Sequence, residues 1–266
     1  MFLAIPFRDD TPTRQLPAVT CGLIAACVIV FLWQFSLGPH GLERSAMEYG
    51  MIPAVLFGAA RLPARLALVA PPLTLVTSMF LHSGWLHLIG NMIYLFVFGK
   101  GVENALGSLR FLIFYLLCGI AAALTQAFTD PAETLPMVGA SGAIAGVLGA
   151  YIVLYPFGQV FVFFWIIIFF RVVAVPAILL LGFWFLMQLL SAEAPSAGVG
   201  GVAVWAHVGG FIAGMILVLF MRRRDVAMLQ AARTPSFAVS RPRDARWRGS
   251  GSVPPAGRPG RRDPWG

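Results

Sequence analysis

Charge is what this sequence has least of. Asp, Glu, Lys and Arg make up 11% of its 266 residues, against 59% hydrophobic. That scarcity excludes a disordered chain or an ordinary soluble domain and predicts a polytopic membrane protein. Cysteine is also sparse. Cys21, Cys27 and Cys118 lie in apolar runs without metal-ligand spacing, so they read as small buried hydrophobes rather than a disulfide or metal framework. Carboxylates are missing from every apolar run long enough to span. Asp130 and Glu133 fall between runs, as does Glu193, and Glu103 falls just past the end of one. No internal repeat is evident.

The charge that exists is unevenly placed. Residues 222–266 carry eleven Arg and three Asp, a net +8 equal to that of the whole chain, so residues 1–221 are formally neutral. This last stretch is rich in Arg, Pro, Gly and Ser without hydrophobic period. It predicts a disordered basic tail drawn to anionic lipid, with no folded element for reading nucleic acid. The first fifteen residues hold Arg8, Asp9, Asp10 and Arg14, and the apolar run from Leu16 is long enough to span. That predicts a first span rather than a cleaved leader.

A helix needs about 20 apolar residues to cross a bilayer. Six spans are predicted, near Pro17–Leu37, Trp85–Gly101, Leu109–Phe128, Ser141–Tyr155, Val175–Leu190 and Val204–Met221. The fourth and fifth are short, as suits helices that stop below the surface beside a water-filled cavity. The apolar stretch Phe157–Val175 is interrupted by Arg171. It is expected to be a hydrophobic loop packed on the bundle or dipping into the interface. Six spans place Arg8, Arg14, Lys100, Arg110, Arg171 and the tail on one side, leaving Arg44, Arg61 and Arg65 opposite. The positive-inside rule then makes both termini cytoplasmic. A seventh span would export the tail. The long connection Gly38–Gly84, with five prolines, is expected to embed partly in the outer leaflet. The resulting organisation is a segment 1–16, a six-span core 17–221 and a tail 222–266.

Two polar residues stand at the mouths of spans. Ser141 lies in Gly139-Ala140-Ser141-Gly142, and His207 in Ala206-His207-Val208-Gly209-Gly210. An intramembrane histidine is a functional candidate by default. Six spans put both residues at one depth near the outer surface. A serine needs a base in reach to become a nucleophile, and the helix start at Ser141 offers N–H groups to a developing oxyanion. Gly139 and Gly142 permit a sharp turn and close substrate approach. The spacings Gly142-x-x-x-Gly146 and Gly210-x-x-x-Gly214 allow their helices to approach closely. Read singly, each motif has a plain alternative in packing, capping or a satisfied buried histidine. His87 and Asn91 share a face of the second span at i, i+4 and could donate to an oxyanion. His82 just before it could organise the loop or a water. A metal site there is the weaker reading, since no carboxylate or cysteine lies at ligand spacing. With no carboxylate in a span, the set favours a Ser–His dyad over a triad.

These residues resemble the rhomboid family of intramembrane serine proteases over about 17–221. The match is Gly139-Ala140-Ser141-Gly142, Ala206-His207-Val208-Gly209-Gly210 with Gly214, and His82…His87…Asn91, in the family's order. The resemblance implies an all-α, six-helix membrane bundle with Ser141 as nucleophile and His207 as base. It implies an oxyanion hole from Asn91, His87 and the Ser141 N–H. It also implies cleavage of transmembrane protein substrates in or near their spans, without metal, ATP or other cofactor, by a multi-pass protein of a bacterial-type plasma membrane. The gate it implies lies between the second and fifth spans with the glycine-rich loop Ser191–Ala203. Two departures stand out. The position four residues after the nucleophile is Ala145, where some members stack a Tyr on the histidine, so Trp205 or Tyr151 is expected to hold His207 instead. The long loop lacks the Trp-Arg pair many members carry. The alternative reading is a catalytically silent relative that binds membrane clients; a channel or transporter predicts intramembrane charges or repeated broken helices, and neither is visible.

Overall fold

The computed structural model describes residues 2–11, 16–166, 169–192, 203–233 and 239–240. The chain opens with a strand, β1 (Phe2–Asp9), and enters the first apolar helix, α1 (Ala18–Ser36). The long connection then folds as short helices: α2 (Gly41–Tyr49), α3 (Pro53–Leu56), a 3-10 turn at Pro71–Leu73, α4 (Thr74–Thr77) and another turn at Ser78–Phe80. Next come α5 (Trp85–Leu106), α6 (Ser108–Thr129) and α7 (Ser141–Leu154). A hairpin of β2 (Gln159–Ile166) and β3 (Phe169–Pro176) leads to α8 (Ala177–Ala192), α9 (Val204–Met221) and a last short strand, β4 (Val239–Ser240).

Six apolar helices are thus present among the described residues, close to the expected bounds. α1, α5, α6 and α9 are long and apolar enough to cross a membrane. α7 has 14 residues, a rise of about 21 Å against a hydrocarbon core of about 30 Å. It therefore stops short of one surface. The core is the shared interior of α1, α5, α6, α7 and α9, with Phe98, Phe111, Phe114, Tyr115, Leu148 and Tyr151 buried in it.

Phe157–Val175 is not the loop its sequence implied. β2 pairs antiparallel with β1 from Phe2↔Ile166 to Asp9↔Val160, and with β3 from Gln159↔Pro176 to Ile166↔Phe169. With β4 beside β3, the order is β1-β2-β3-β4. The sheet forms because backbone polar groups leaving the helices need partners, and β-branched and aromatic residues fill both strands of the hairpin. Pro6 is tolerated because β1 is an edge strand.

The sheet end of the bundle is fastened by carboxylates. Asp9 accepts from Tyr151 Oη on α7 at 2.8 Å and from Thr11 Oγ1, and pairs with Lys100 Nζ on α5 at 2.7 Å. Glu103 is fully buried on α5, which runs further than its apolar stretch implied. It accepts from Val19 N, Thr20 N and Thr20 Oγ1 at the start of α1, and from Ser108 Oγ, at 2.7–3.0 Å. It caps α1 from outside, where Pro17 offers no capping side chain. The expected disorder from residue 222 does not hold for 222–233. Arg223 N donates to Ala105 O, Leu229 N to Val153 O, Gln230 N to Leu154 O and Arg233 N to Asp10 Oδ2. Beyond 233 only 239–240 lie within the described residues.

Candidate active site

The opposite end of the bundle holds the residues singled out in the sequence. Ser141 is the first residue of α7. The turn before it is tied to the long connection twice: Met51 and Met137 exchange backbone hydrogen bonds, and Gly139 N donates to Ser78 O at 2.9 Å. Gly139 has φ +128°, and a Cβ there would lie 2.8 Å from His87 Cε1 and Nε2 and 3.7 Å from Ser141 Oγ. Only glycine suits that backbone and leaves that room. The His87 ring fills the space and so lies against the turn that carries Ser141.

The hydrogen bonds of His87 assign its tautomer. Ser83 N, which can only donate, approaches Nδ1 at 3.4 Å, and Ser83 Oγ lies 2.9 Å from the same atom. Nδ1 is therefore the acceptor, and in the neutral ring the proton sits on Nε2, beside Gly139. Asn91, one turn further into α5 and buried, gives one amide hydrogen to His87 O at 2.9 Å. Its second hydrogen remains for another acceptor.

His82 lies in the connection, outside the spans, and is completely buried. Its N–H donates to Gln34 Oε1 on α1, and Gln34 in turn donates to Ser45 Oγ on α2. The ring packs edge-on to His87, centroids 5.2 Å apart. Among the described residues its ring nitrogens find no well-formed hydrogen bond, only the Phe80 backbone nearby. Burial, with His87 beside it, pushes its imidazole down to about 4. It is a neutral wedge under His87.

α9 reaches the same place by direct backbone contact with α7. A Cβ on Gly210 would land on Gly142 O, one on Gly214 on Gly146 O, and one on Gly149 on Phe211 O. The two glycine pairs read from the sequence thus form one seam. At its upper end a Cβ on Gly142 would be 3.8 Å from Ala206 O. The residue after Ser141 and the residue before His207 are therefore neighbours. Ala206 N also donates to Gln126 Oε1 of α6 at 3.3 Å. Among the described residues Ser141 Oγ has no hydrogen-bond partner, as is common before substrate tightens a site.

What holds His207 was misread in the sequence. Tyr151 is at the other end of α7, bonded to Asp9, and Trp205 is 40% exposed with no ring contact to His207 among the described residues. Instead His207 Nδ1 lies 2.9 Å from Gln188 Oε1 on α8, and the Trp184 ring packs at 5.8 Å. Gln188 had a signal: it is the one amide inside the apolar run of α8, where an unpartnered polar group is costly. Most of the loop Ser191–Ala203, taken above for part of a gate, lies outside the described residues.

A family model described as "Rhomboid domain" matches residues 71–224, which contain every residue of this site. The putative rhomboid protease YdcA of Bacillus subtilis (strain 168) is 40% identical over 78 residues, 29% of this chain and 39% of that protein. The rhomboid protease AarA of Providencia stuartii is 32% identical over 149 residues, covering 51% of this chain and 50% of that one. RHOMBOID-like protein 5 of Arabidopsis thaliana is 40% identical over 76 residues, 29% and 25% of the two chains. The chain thus spans a quarter to a half of the length of these relatives. A helical membrane bundle with a matching domain over more than half its length, it belongs to the rhomboid family.

Proposed function

We propose that this protein is an intramembrane serine endopeptidase that cleaves other membrane proteins in or near their spans through a Ser141–His207 dyad. One observation carries the reading. α7 and α9 meet backbone to backbone so that the Ser141 turn and the His207 turn adjoin, with the His87 ring against the same turn. Ser141 Oγ attacks the substrate carbonyl carbon while its proton passes to His207 Nε2. The oxyanion meets the Ser141 N–H at the start of α7, where the helix dipole favours negative charge, together with His87 Nε2–H and the spare hydrogen of Asn91. His207 then protonates the leaving amine, the C–N bond breaks, and an acyl-serine remains. A water gives its proton to His207 and attacks the ester, and the acid leaves as Ser141 regains its proton.

The short α7 supports a site recessed below the surface but open to water. The charge pattern supports both termini and the basic tail on the cytoplasmic side of a plasma membrane, with the site near the outer face and the arginines drawn to anionic lipid. The test is cleavage of a single-span reporter in detergent or vesicles by the wild type, Ser141→Ala and His207→Ala. Both variants should lose cleavage. Wild-type turnover by both would sink the assignment, and an inert wild type would favour the client-binding alternative.

A further inference from the structure

We infer that Gln188 is the positioning residue for His207, and that through it the readiness of the base depends on whether α8 is seated. This rests on the dyad proposed above. A neutral imidazole has two tautomers, and only one leaves Nε2 free to take the proton of Ser141. Gln188 Oε1 lies 2.9 Å from Nδ1. An amide oxygen only accepts, so Nδ1 carries the proton and Nε2 presents its lone pair. This task is elsewhere given to a buried carboxylate. A neutral amide performs it without burying a second charge in a low-dielectric site. The other elements packed near this end of α9 present His87 on α5 and Thr125 and Gln126 on α6.

The second half of the inference comes from how α8 is held. α7 and α9 are joined by backbone against backbone. α8 sits on α9 through side chains: Trp184 packs on His207 and on Phe211, and Phe185 stacks on Phe211 with ring centroids 4.5 Å apart. Its outward face, with Phe183, Leu186 and Leu190, is exposed. The residues that seat α8 and the residue that sets the tautomer lie within five positions, on the face that meets α9. Any displacement of α8 away from α9 therefore takes the acceptor off Nδ1. A substrate that enters by pushing α8 aside meets a base that is out of line until α8 returns.

The experiment measures kcat, KM and the pH profile of reporter cleavage in detergent for the wild type and for Gln188→Leu, Gln188→Glu, Phe185→Ala and Phe185→Ala/Gln188→Leu. Gln188→Leu keeps the bulk and removes the acceptor. It should lower kcat about 10- to 100-fold with KM unchanged, the scale of a small misplacement of a reacting group. Gln188→Glu restores an acceptor. It should keep kcat within a few-fold of wild type and move the acid limb of the profile to higher pH, because a carboxylate favours the imidazolium. Phe185→Ala should lower kcat in the wild type but add little in the Gln188→Leu background, since both act on one contact. Wild-type kcat in Gln188→Leu overturns the positioning role, and additive losses overturn the link to α8. If Gln188→Leu does not fold, Gln188→Glu decides, and an unmoved acid limb overturns the inference. Ser141→Ala assayed alongside separates the cases: if it cleaves, the dyad itself has failed; if it is inert while the Gln188 variants behave as wild type, only this inference has.

Discussion

The seam between α7 and α9 sets up a test in which one substitution has opposite consequences at two positions. Gly214 lies where a Cβ would overlap Gly146 O, and that neighbour is backbone, which cannot rotate away. Gly22 lies on α1 with nothing within 4 Å of its would-be Cβ. In water, Gly→Ala in a helix gains about 0.5–1 kcal/mol. In a membrane the unassembled state keeps its helices, so most of that gain cancels and packing decides. Gly22→Ala should therefore change stability by less than about 0.5 kcal/mol. Gly214→Ala must push two backbones apart, an overpacking cost of about 1–3 kcal/mol. At about 2–4 °C per kcal/mol for a chain of this size, Tm should fall by roughly 2–12 °C. It should also lose activity, because spreading the seam moves His207 away from Ser141. The assay is thermal unfolding in detergent beside reporter cleavage. If Gly214→Ala is as stable and active as Gly22→Ala, the close approach of α7 and α9 is wrong, and the placement of the dyad falls with it.

Three further outcomes are expected. Gly139→Ala puts a methyl group into the His87 ring in a backbone conformation that strains any L residue; turnover should drop about 100-fold with the fold retained, and wild-type turnover would remove His87 from the site. Glu103→Gln replaces a carboxylate that accepts four hydrogen bonds with a group that faces some of those donors with its own; a loss of about 2–3 kcal/mol, read from a denaturation midpoint, is expected, and no change would mean α1 is capped otherwise. His82 is held at about 4 from an ordinary 6.5. Its folded value lies below its unfolded one, so the protein is unaffected above about pH 6.5, loses stability as pH falls towards 4, and levels off below. The full loss is about 3 kcal/mol, and His82→Asn should flatten that part of the stability–pH curve; an equally steep curve in the variant would refute it.

The six helices were legible because hydrocarbon imposes a length, and Ser141, His207, His87 and Asn91 because a polar residue in an apolar run is conspicuous. The glycine seam was legible as spacing. The sheet was not. A continuous apolar run such as Val160–Ile166 has neither the period of a half-buried strand nor that of a helix, and its partner strand lies more than 150 residues earlier at the N-terminus. The role of Gln188 was hidden for a different reason. Its partner is 19 positions away on another helix, and no local pattern carries that contact. Glu103 falls just past the end of its apolar stretch in the sequence, yet the helix continues and the carboxylate is fully buried.

The hydrogen bonds from Leu229 and Gln230 to the last carbonyls of α7 have a practical corollary. These carbonyls belong to the helix whose other end carries Ser141, and they would otherwise lack donor partners. Cutting the chain back to Met221, where the last span ends, strips them bare and releases Asp10 from Arg233. A trimmed protein meant to keep its wild-type melting behaviour should retain both residues 222–233 and β4, and so end after Ser240. Of two chains ending at Met221 and at Ser240, the shorter should be the one that heat or protease opens first, from the face farthest from the chemistry.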